Sequence, residues 1–225
     1  MIVITGATRG LGNSIALNLK ERGYEVLGLA RNSSNEDFEI LQCDVSDYDA
    51  VKDASKKVKK LGEPIECVIN AAGVASMNMA VTTDKNTVKK IIQTNLSGTI
   101  FVSQLFAPIL LRQKQGSFIN FSTIAVPLAL KGESVYVASK AGVEGFTKSF
   151  AREMADFNVR VNCIAPGPIK TDLLKGVSDE QIKDIVSRQI LQKDFKKSDI
   201  CDLVQLLLDQ RSSSLSGQIF NVGGV

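Results

Sequence analysis

The 225-residue sequence predicts a single-domain α/β fold, a doubly wound parallel sheet with a short helical flap. Three observations lead there. Short β-branched apolar runs alternate with longer stretches of helical periodicity, as parallel strands joined by crossover helices require. The first run, Met1-Ile2-Val3-Ile4-Thr5, passes directly into Gly6-Ala7-Thr8-Arg9-Gly10-Leu11-Gly12 and then a helical pattern. Small or hydroxyl-bearing segments end the strands, where open α/β sheets bind ligands. With 44% hydrophobic residues, a chain of this length can bury one sizeable core.

Residues 1–5 read as a buried strand, and Ile15, Ala16 and Leu19 give the following helix, ending near Gly23. Gly6 permits a tight turn, Gly10 lets the backbone approach a pyrophosphate, and Gly12 allows close helix packing. Thr8 and Leu11 share that turn. Residues 25–30 form the second strand. Many dinucleotide-binding chains end it with an acid for the ribose 2′-hydroxyl, but here Ala30 is followed by Arg31, Asn32 and Ser33. Either Arg9 or Arg31 alone could as readily be a solvated charge. Together, with no acid at position 30, they favour a 2′-phosphate, and so NADP(H).

Residues 39–45 are the third strand, with Asp44 and Val45 at its carboxyl end, near an adenine. Only about eight polar residues precede it, too few for a crossover helix. Residues 47–60 are an amphipathic helix, and 65–69 a fourth strand ending in Asn70-Ala71-Ala72-Gly73, where small residues leave room for a ligand. Residues 88–114 read as one long, mostly apolar helix. Asn95 in its middle is either tolerated at the surface or present for its side chain. Residues 117–121 are the fifth strand, ending in Ser122-Thr123, and a helix follows over 135–157. The sixth strand, 160–165, runs into Pro166-Gly167-Pro168-Ile169-Lys170-Thr171. Residues 172–197 are polar and weakly helical, the profile of a mobile flap; a helix over 199–208 and a strand over 216–222 complete the chain.

The net charge of +3, spread among interleaved acids, argues against nucleic acid as a partner. No apolar run reads as long enough to span a bilayer and no signal-peptide pattern is present, so a cytoplasmic chain without a membrane partner is expected. Cys43, Cys67, Cys163 and Cys201 are widely spaced and read as small buried hydrophobes in a reducing compartment. The absence of histidine removes Ser-His-Asp and Cys-His systems and His-ligated zinc, and no metal site is expected. Proton transfer must then use Tyr, Lys, Asp or Glu.

Tyr136 and Lys140 stand four residues apart, on one helical face. A phenol has a pKa of about 10. A nearby ammonium, or the positive ring of an oxidised nicotinamide, favours the phenolate and makes Tyr136 a general acid or base near neutrality. Most Tyr-x-x-x-Lys pairs are ordinary helix neighbours, so the weight comes from the rest of the chain.

Taken in order, the Thr5-Gly6-x-x-x-Gly10-x-Gly12 turn, Asn70–Gly73, Asn95, the hydroxyls Ser122 and Thr123, Tyr136-x-x-x-Lys140 and Pro166-Gly167 resemble the short-chain dehydrogenase/reductase family over essentially the whole chain. Within it the chain is most like the 3-oxoacyl-[acyl-carrier-protein] reductases, by the arginine in the glycine turn, the short flap and the Gly-Gly-Val end. The resemblance implies a Rossmann-type fold and NADPH-dependent reduction of a carbonyl. Tyr136 would protonate the ketone oxygen as hydride arrives, and Lys140 would lower the phenol pKa and bond the nicotinamide ribose. Asn95 would hold a relay water, and a fifth-strand hydroxyl would bond the substrate carbonyl. The family's serine, thirteen residues before the tyrosine, corresponds here to Thr123, with Ser122 one place earlier. The helix between the second and third strands is missing, and Asn221 replaces a common aspartate. The expected partners are a small carbonyl substrate, presented on an acidic acyl carrier protein, and further copies of the chain in a dimer or tetramer built on the two long helices. Arg112, Lys114, Lys193, Lys196 and Lys197 are candidate carrier contacts or plain solvated charges. Two alternatives stand: a reductase or dehydrogenase of another small ketone or secondary alcohol, and a non-catalytic dinucleotide-binding sensor.

Overall fold

The computed structural model describes residues 1–32, 37–171, 174 and 176–225; Ser33 and flap positions 172, 173 and 175 lie outside the described residues. Strands β1 (Ile2–Thr5), β2 (Val26–Ala30), β3 (Glu39–Gln42), β4 (Cys67–Asn70), β5 (Gly116–Phe121), β6 (Val159–Ala165) and β7 (Ile219–Asn221) form one parallel sheet in the order β3-β2-β1-β4-β5-β6-β7. Strand order reverses between β1 and β4, and such a switch point opens a crevice at the strands' carboxyl ends.

Two apolar layers sandwich the sheet. Helices α1 (Gly10–Glu21) and, late in the chain, Lys197–Leu208 cover one face through Ile15, Leu19, Val204 and Leu207, packed on Ile4, Ile69 and Ile119. Helix α2 (Tyr48–Leu61), the stretch Lys85–Gln113 and the helix Ser134–Met154 cover the other through Val51, Val58, Val102, Phe106, Leu110 and Phe150.

Residues 31–38 alone join β2 to β3, which nevertheless pair in parallel, Gly28 opposite Ile40. A Cβ at Gly28 would lie 2.4 Å from Ile40 Cδ1 and 3.1 Å from Phe38 Cε2. Glycine lets these two side chains fold onto the sheet, and both pack against the apolar layer there.

The long helix predicted over 88–114 differs in kind. It comprises α3 (Lys85–Ile91), a π-turn at Ile92–Ser97 and α4 (Gly98–Gln113). By length and composition Lys85–Gln113 is apolar enough to cross a membrane, contrary to the sequence reading, with a mean hydropathy of 1.3. Its apolar side chains are spent on the core, where Val102, Phe106 and Leu110 are fully buried. A four-residue helix, α5 (Ala125–Leu128), was not anticipated. It precedes α6 (Ser134–Met154), α7 (Asp179–Ser187) and α8 (Lys197–Leu208). Within the flap, α7 starts at a capping box between Ser178 and Gln181.

Candidate active site

A cavity of about 540 Å³ runs along the carboxyl ends of the strands. Its wall gathers Gly6, Thr8, Arg9, Gly10, Leu11 and Gly12 from the glycine turn, Ala30, Arg31 and Asn32 after β2, and Asp44 and Val45 after β3. Ala71, Ala72 and Gly73 after β4, Ser122 and Thr123 after β5, Tyr136 and Lys140 on α6, and Pro166, Gly167, Ile169 and Thr171 after β6 complete it. Of the described residues nominated as catalytic or cofactor-binding, only Asn70 and Asn95 stay off the wall.

The turn is built for a close backbone approach. Gly6 has φ 68°, and a Cβ there would meet Ala72 Cα at 2.9 Å; one at Gly12 would lie 2.5 Å from the Gly6 carbonyl oxygen. At Gly10 no heavy atom comes within 4 Å of the Cβ position. No side chain caps α1 and no acid occupies its first turn, which leaves its leading N–H groups for an anion. This cradle suits a pyrophosphate, and Arg9 and Arg31 share its cavity with Lys90 of α3, a third cation that sequence reading passed over. Lys90 stands at helical spacing from Thr94, which also lines the wall; that pattern was the available signal.

The chemistry-bearing groups cluster between β5 and α6. The Thr123 hydroxyl stands close enough to the Tyr136 phenol to favour its ionised form. Ser122 turns the other way and donates to Glu144 Oε1 at 2.6 Å. Side chains alternate along an extended chain, and the Ser122 hydroxyl is taken up by Glu144 while that of Thr123 stands at the phenol, which corrects the nomination of Ser122 as a catalytic hydroxyl. Burial, reinforced by the nearby Glu133 carboxylate, pushes the Tyr136 phenol well above its ordinary value, with Thr123 opposing. Lys140 stands one helical turn further along α6. Its Nζ donates to the Phe121 carbonyl at 2.8 Å, and burial brings its pKa down to about 8.

Asn95 is fully buried in the π-turn. Its Oδ1 accepts from Val74 N at 2.8 Å, and its Nδ2 donates to Val74 O at 2.9 Å and Ser139 Oγ at 3.0 Å. The side chain thus clamps the wall segment after Gly73 to α6. Ser139, missed in the sequence, in turn donates to the Tyr136 carbonyl at 2.7 Å. The Asn70 amide points into the core, donating to Asn120 Oδ1 at 2.8 Å and Ser103 Oγ at 3.1 Å, which corrects its nomination as a cofactor ligand. Asn120 donates onward to Thr147 at 2.9 Å, so this chain of amides and hydroxyls ties α4 to α6 through the sheet.

Glu133 is a further residue missed. It sits three positions before Tyr136, is 8% exposed and lines the cavity. Its position one helical turn from the phenol was the only sequence clue. Of the basic residues nominated for a carrier, Arg112 and Lys114 lie at the end of α4, where Asn158 before β6 bonds the Lys114 carbonyl. That is the opposite end of the sheet from the cavity, because α4 runs back to the start of β5. Lys193, Lys196 and Lys197 follow α7 on the cavity side, where Leu191 N donates to Gly223 O beyond β7.

A doubly wound sheet, a glycine cradle and a tyrosine–threonine pair in one cavity define a dinucleotide-dependent oxidoreductase, and the comparisons agree. The family model described as Enoyl-(Acyl carrier protein) reductase matches residues 6–224, and the chain belongs to the short-chain dehydrogenase/reductase family. The 3-oxoacyl-[acyl-carrier-protein] reductase of Staphylococcus aureus is 33% identical over 99% of this chain and 96% of its own. That of Staphylococcus epidermidis is 35% identical over the same shares. Among solved structures, the aldohexose dehydrogenase of Thermoplasma acidophilum superposes with a TM-score of 0.89 at 28% identity, covering 99% of this chain and 92% of that one. A 4-hydroxyisoleucine dehydrogenase mutant complexed with NADH and succinate gives 0.90 at 26% identity, with 99% and 97% covered. The chain is an oxidoreductase of this family, whose members bind a nicotinamide dinucleotide.

Proposed function

We propose that this chain reduces a ketone to a secondary alcohol with NADPH, and that its substrate is a 3-oxoacyl thioester carried on acyl carrier protein. The observation that carries the ketone reading is the juxtaposition of Thr123 and Tyr136 on the wall of the cavity that also holds the glycine cradle. A carbonyl oxygen placed at that pair meets two hydroxyl donors, which stabilise the negative charge that grows there during reduction. The phenol's raised pKa keeps it protonated, the form that a proton donor to an alkoxide needs. When bound, the dinucleotide supplies the hydride. The α1 N-terminus and glycine turn would hold its pyrophosphate, Asp44 and Val45 would face the adenine, and Arg9 and Arg31 would take the 2′-phosphate. Lys140 would bond the nicotinamide ribose, Ile169 and Thr171 would flank the nicotinamide, and Asn95 keeps the wall in register with α6.

The carrier-borne substrate rests on the relatives' activity and on Lys193, Lys196 and Lys197 near the mouth of the cavity. We read the half-buried apolar side chains along α4 and α6, Phe101, Leu105 and Phe146, as the seat of a homo-oligomer in the cytoplasm. The second reading, another small ketone or secondary alcohol, is favoured by the aldohexose and 4-hydroxyisoleucine dehydrogenases among the structural relatives. NADPH and NADH oxidation with a panel of 3-oxoacyl thioesters, simple ketones and hydroxyketones decides between them. Turnover of hydroxyketones alone would remove the carrier-bound substrate, and no turnover of any of them would leave a binding protein.

A further inference from the structure

The half of the cavity that follows β5 and β6 has mainly apolar walls, including Ala125, Leu130, Leu174 and Ile185. Among the described residues two charged side chains stand there, Lys140 and Glu133. The others, Arg9, Arg31, Asp44 and Lys90, stand with the glycine turn, α3 and the ends of β2 and β3, across the switch point. The Lys140 ammonium is engaged with the Phe121 carbonyl. Glu133 is different. It occupies the N-cap position of α6 without capping the helix, and among the described residues no hydrogen-bond donor meets its carboxylate. A buried acid without a partner is costly, and a cap residue that does not cap has no local structural reason to be one. Its carboxylate is close enough to act on the Tyr136 phenol, where the substrate carbonyl would be held.

We propose that Glu133 is a charge filter at the substrate end of the cavity: it admits 3-oxo acids only as neutral esters, thioesters or amides and refuses the free carboxylate. This inference rests on the carbonyl-reductase reading and adds to it a reason for substrate activation. In a 3-oxo acid the carboxyl carbon is two bonds from the ketone carbon. With the ketone oxygen at Thr123 and Tyr136, that carboxyl lies in the same apolar compartment as Glu133. Two unit negative charges about 6 Å apart at an effective dielectric of about 20 repel strongly enough to cost about a hundredfold in affinity. Conversion to an ester or thioester removes the repulsion and leaves the ketone unchanged.

The test uses one skeleton in charged and neutral forms. With saturating NADPH at pH 7 and fixed ionic strength, kcat/KM is measured for acetoacetate, ethyl acetoacetate and acetoacetamide, with the native chain and with Glu133→Gln. The native enzyme is expected to prefer both neutral compounds over the anion by at least about tenfold. Glu133→Gln keeps the shape and should raise kcat/KM for acetoacetate about tenfold or more while the ester stays within about threefold. A neutral-to-anion ratio that Glu133→Gln leaves unchanged would overturn the filter, as would a parallel loss on all three compounds, the mark of a structural role. Should the variant not fold, the native enzyme still decides: equal kcat/KM for acetoacetate and acetoacetamide overturns the proposal. Failure to reduce any of them, the thioester panel included, would sink the reductase reading and the filter together, whereas turnover with no charge preference sinks the filter alone.

Discussion

Lys140 Nζ donates to the Phe121 carbonyl at 2.8 Å, which ties the ammonium on α6 to the end of β5. Burial brings Lys140 down from 10.5 to about 8, so below pH 8 the fold carries the cost of an enclosed charge. Between pH 8 and 10.5 the unfolded chain binds the extra proton, and stability attributable to this residue rises with pH. Tyr136, held un-ionised by burial, withdraws stability above pH 10, so the window to read is pH 8–10. Lys140→Met should therefore stabilise the cofactor-free protein at pH 7 by roughly 1–3 kcal/mol, with the advantage shrinking toward pH 10. Urea midpoints at pH 7 and 9.5 measure it; a destabilised variant at pH 7 would mean that the bond to Phe121 outweighs the burial cost.

Tyr136→Phe should lose nearly all turnover, about 10²–10⁴-fold, and still bind NADPH, because only the proton donor goes. Single-turnover rates beside a fluorescence titration of NADPH separate the two. Retention of most activity would end the mechanism proposed above.

The two neighbouring hydroxyls should behave oppositely. Thr123→Val keeps the shape and removes a donor from the carbonyl oxygen, at about 10²–10³ in kcat/KM, while Thr123→Ser stays active. Ser122→Ala should leave the rate nearly intact but lower stability by about 1–2 kcal/mol, because Glu144 Oε1 loses its 2.6 Å donor. A crippled Ser122→Ala beside a near-normal Thr123→Val would reverse the assignment.

Arg31→Ala is expected to weaken NADPH by roughly 1.5–3 kcal/mol and NADH far less, as loss of a charge-assisted bond to the 2′-phosphate predicts. Lys90→Ala should show a smaller loss of the same sign, since Lys90 shares the cavity wall without belonging to the turn. Kd values for both cofactors check this, and an equal loss for the two would take Arg31 out of cofactor choice.

Strands were legible to within a few residues because their apolar β-branched runs are bounded by glycines and charges, and a parallel sheet needs little more. Thr123 was legible by counting, since the interval to Tyr136 survives as geometry. The π-turn was not, because Ile92–Ser97 has the composition of any apolar helix; Asn95 was its only trace. Asn70 misled for a related reason. It opens a run of small residues that does line the cavity, yet the pleat of β4 sends its own side chain into the core. Glu133 reads in sequence as one more polar residue at a helix start, and only burial sets it apart.

The π-turn between α3 and α4 works as a phase shifter. Each residue added to or removed from a helix rotates everything beyond it by about 100°. The wider turn at Ile92–Ser97 lets Asn95 face Val74 and Ser139 while Val102, Phe106 and Leu110 keep their orientation toward the sheet. A one-residue deletion that regularised this turn would leave every hydrogen-bonding side chain in place along the sequence and still swing the clamp of Asn95 and the apolar stripe of α4 out of step. The length of this helix is thus a setting shared by the cavity wall and the core, and neither can be tuned without the other.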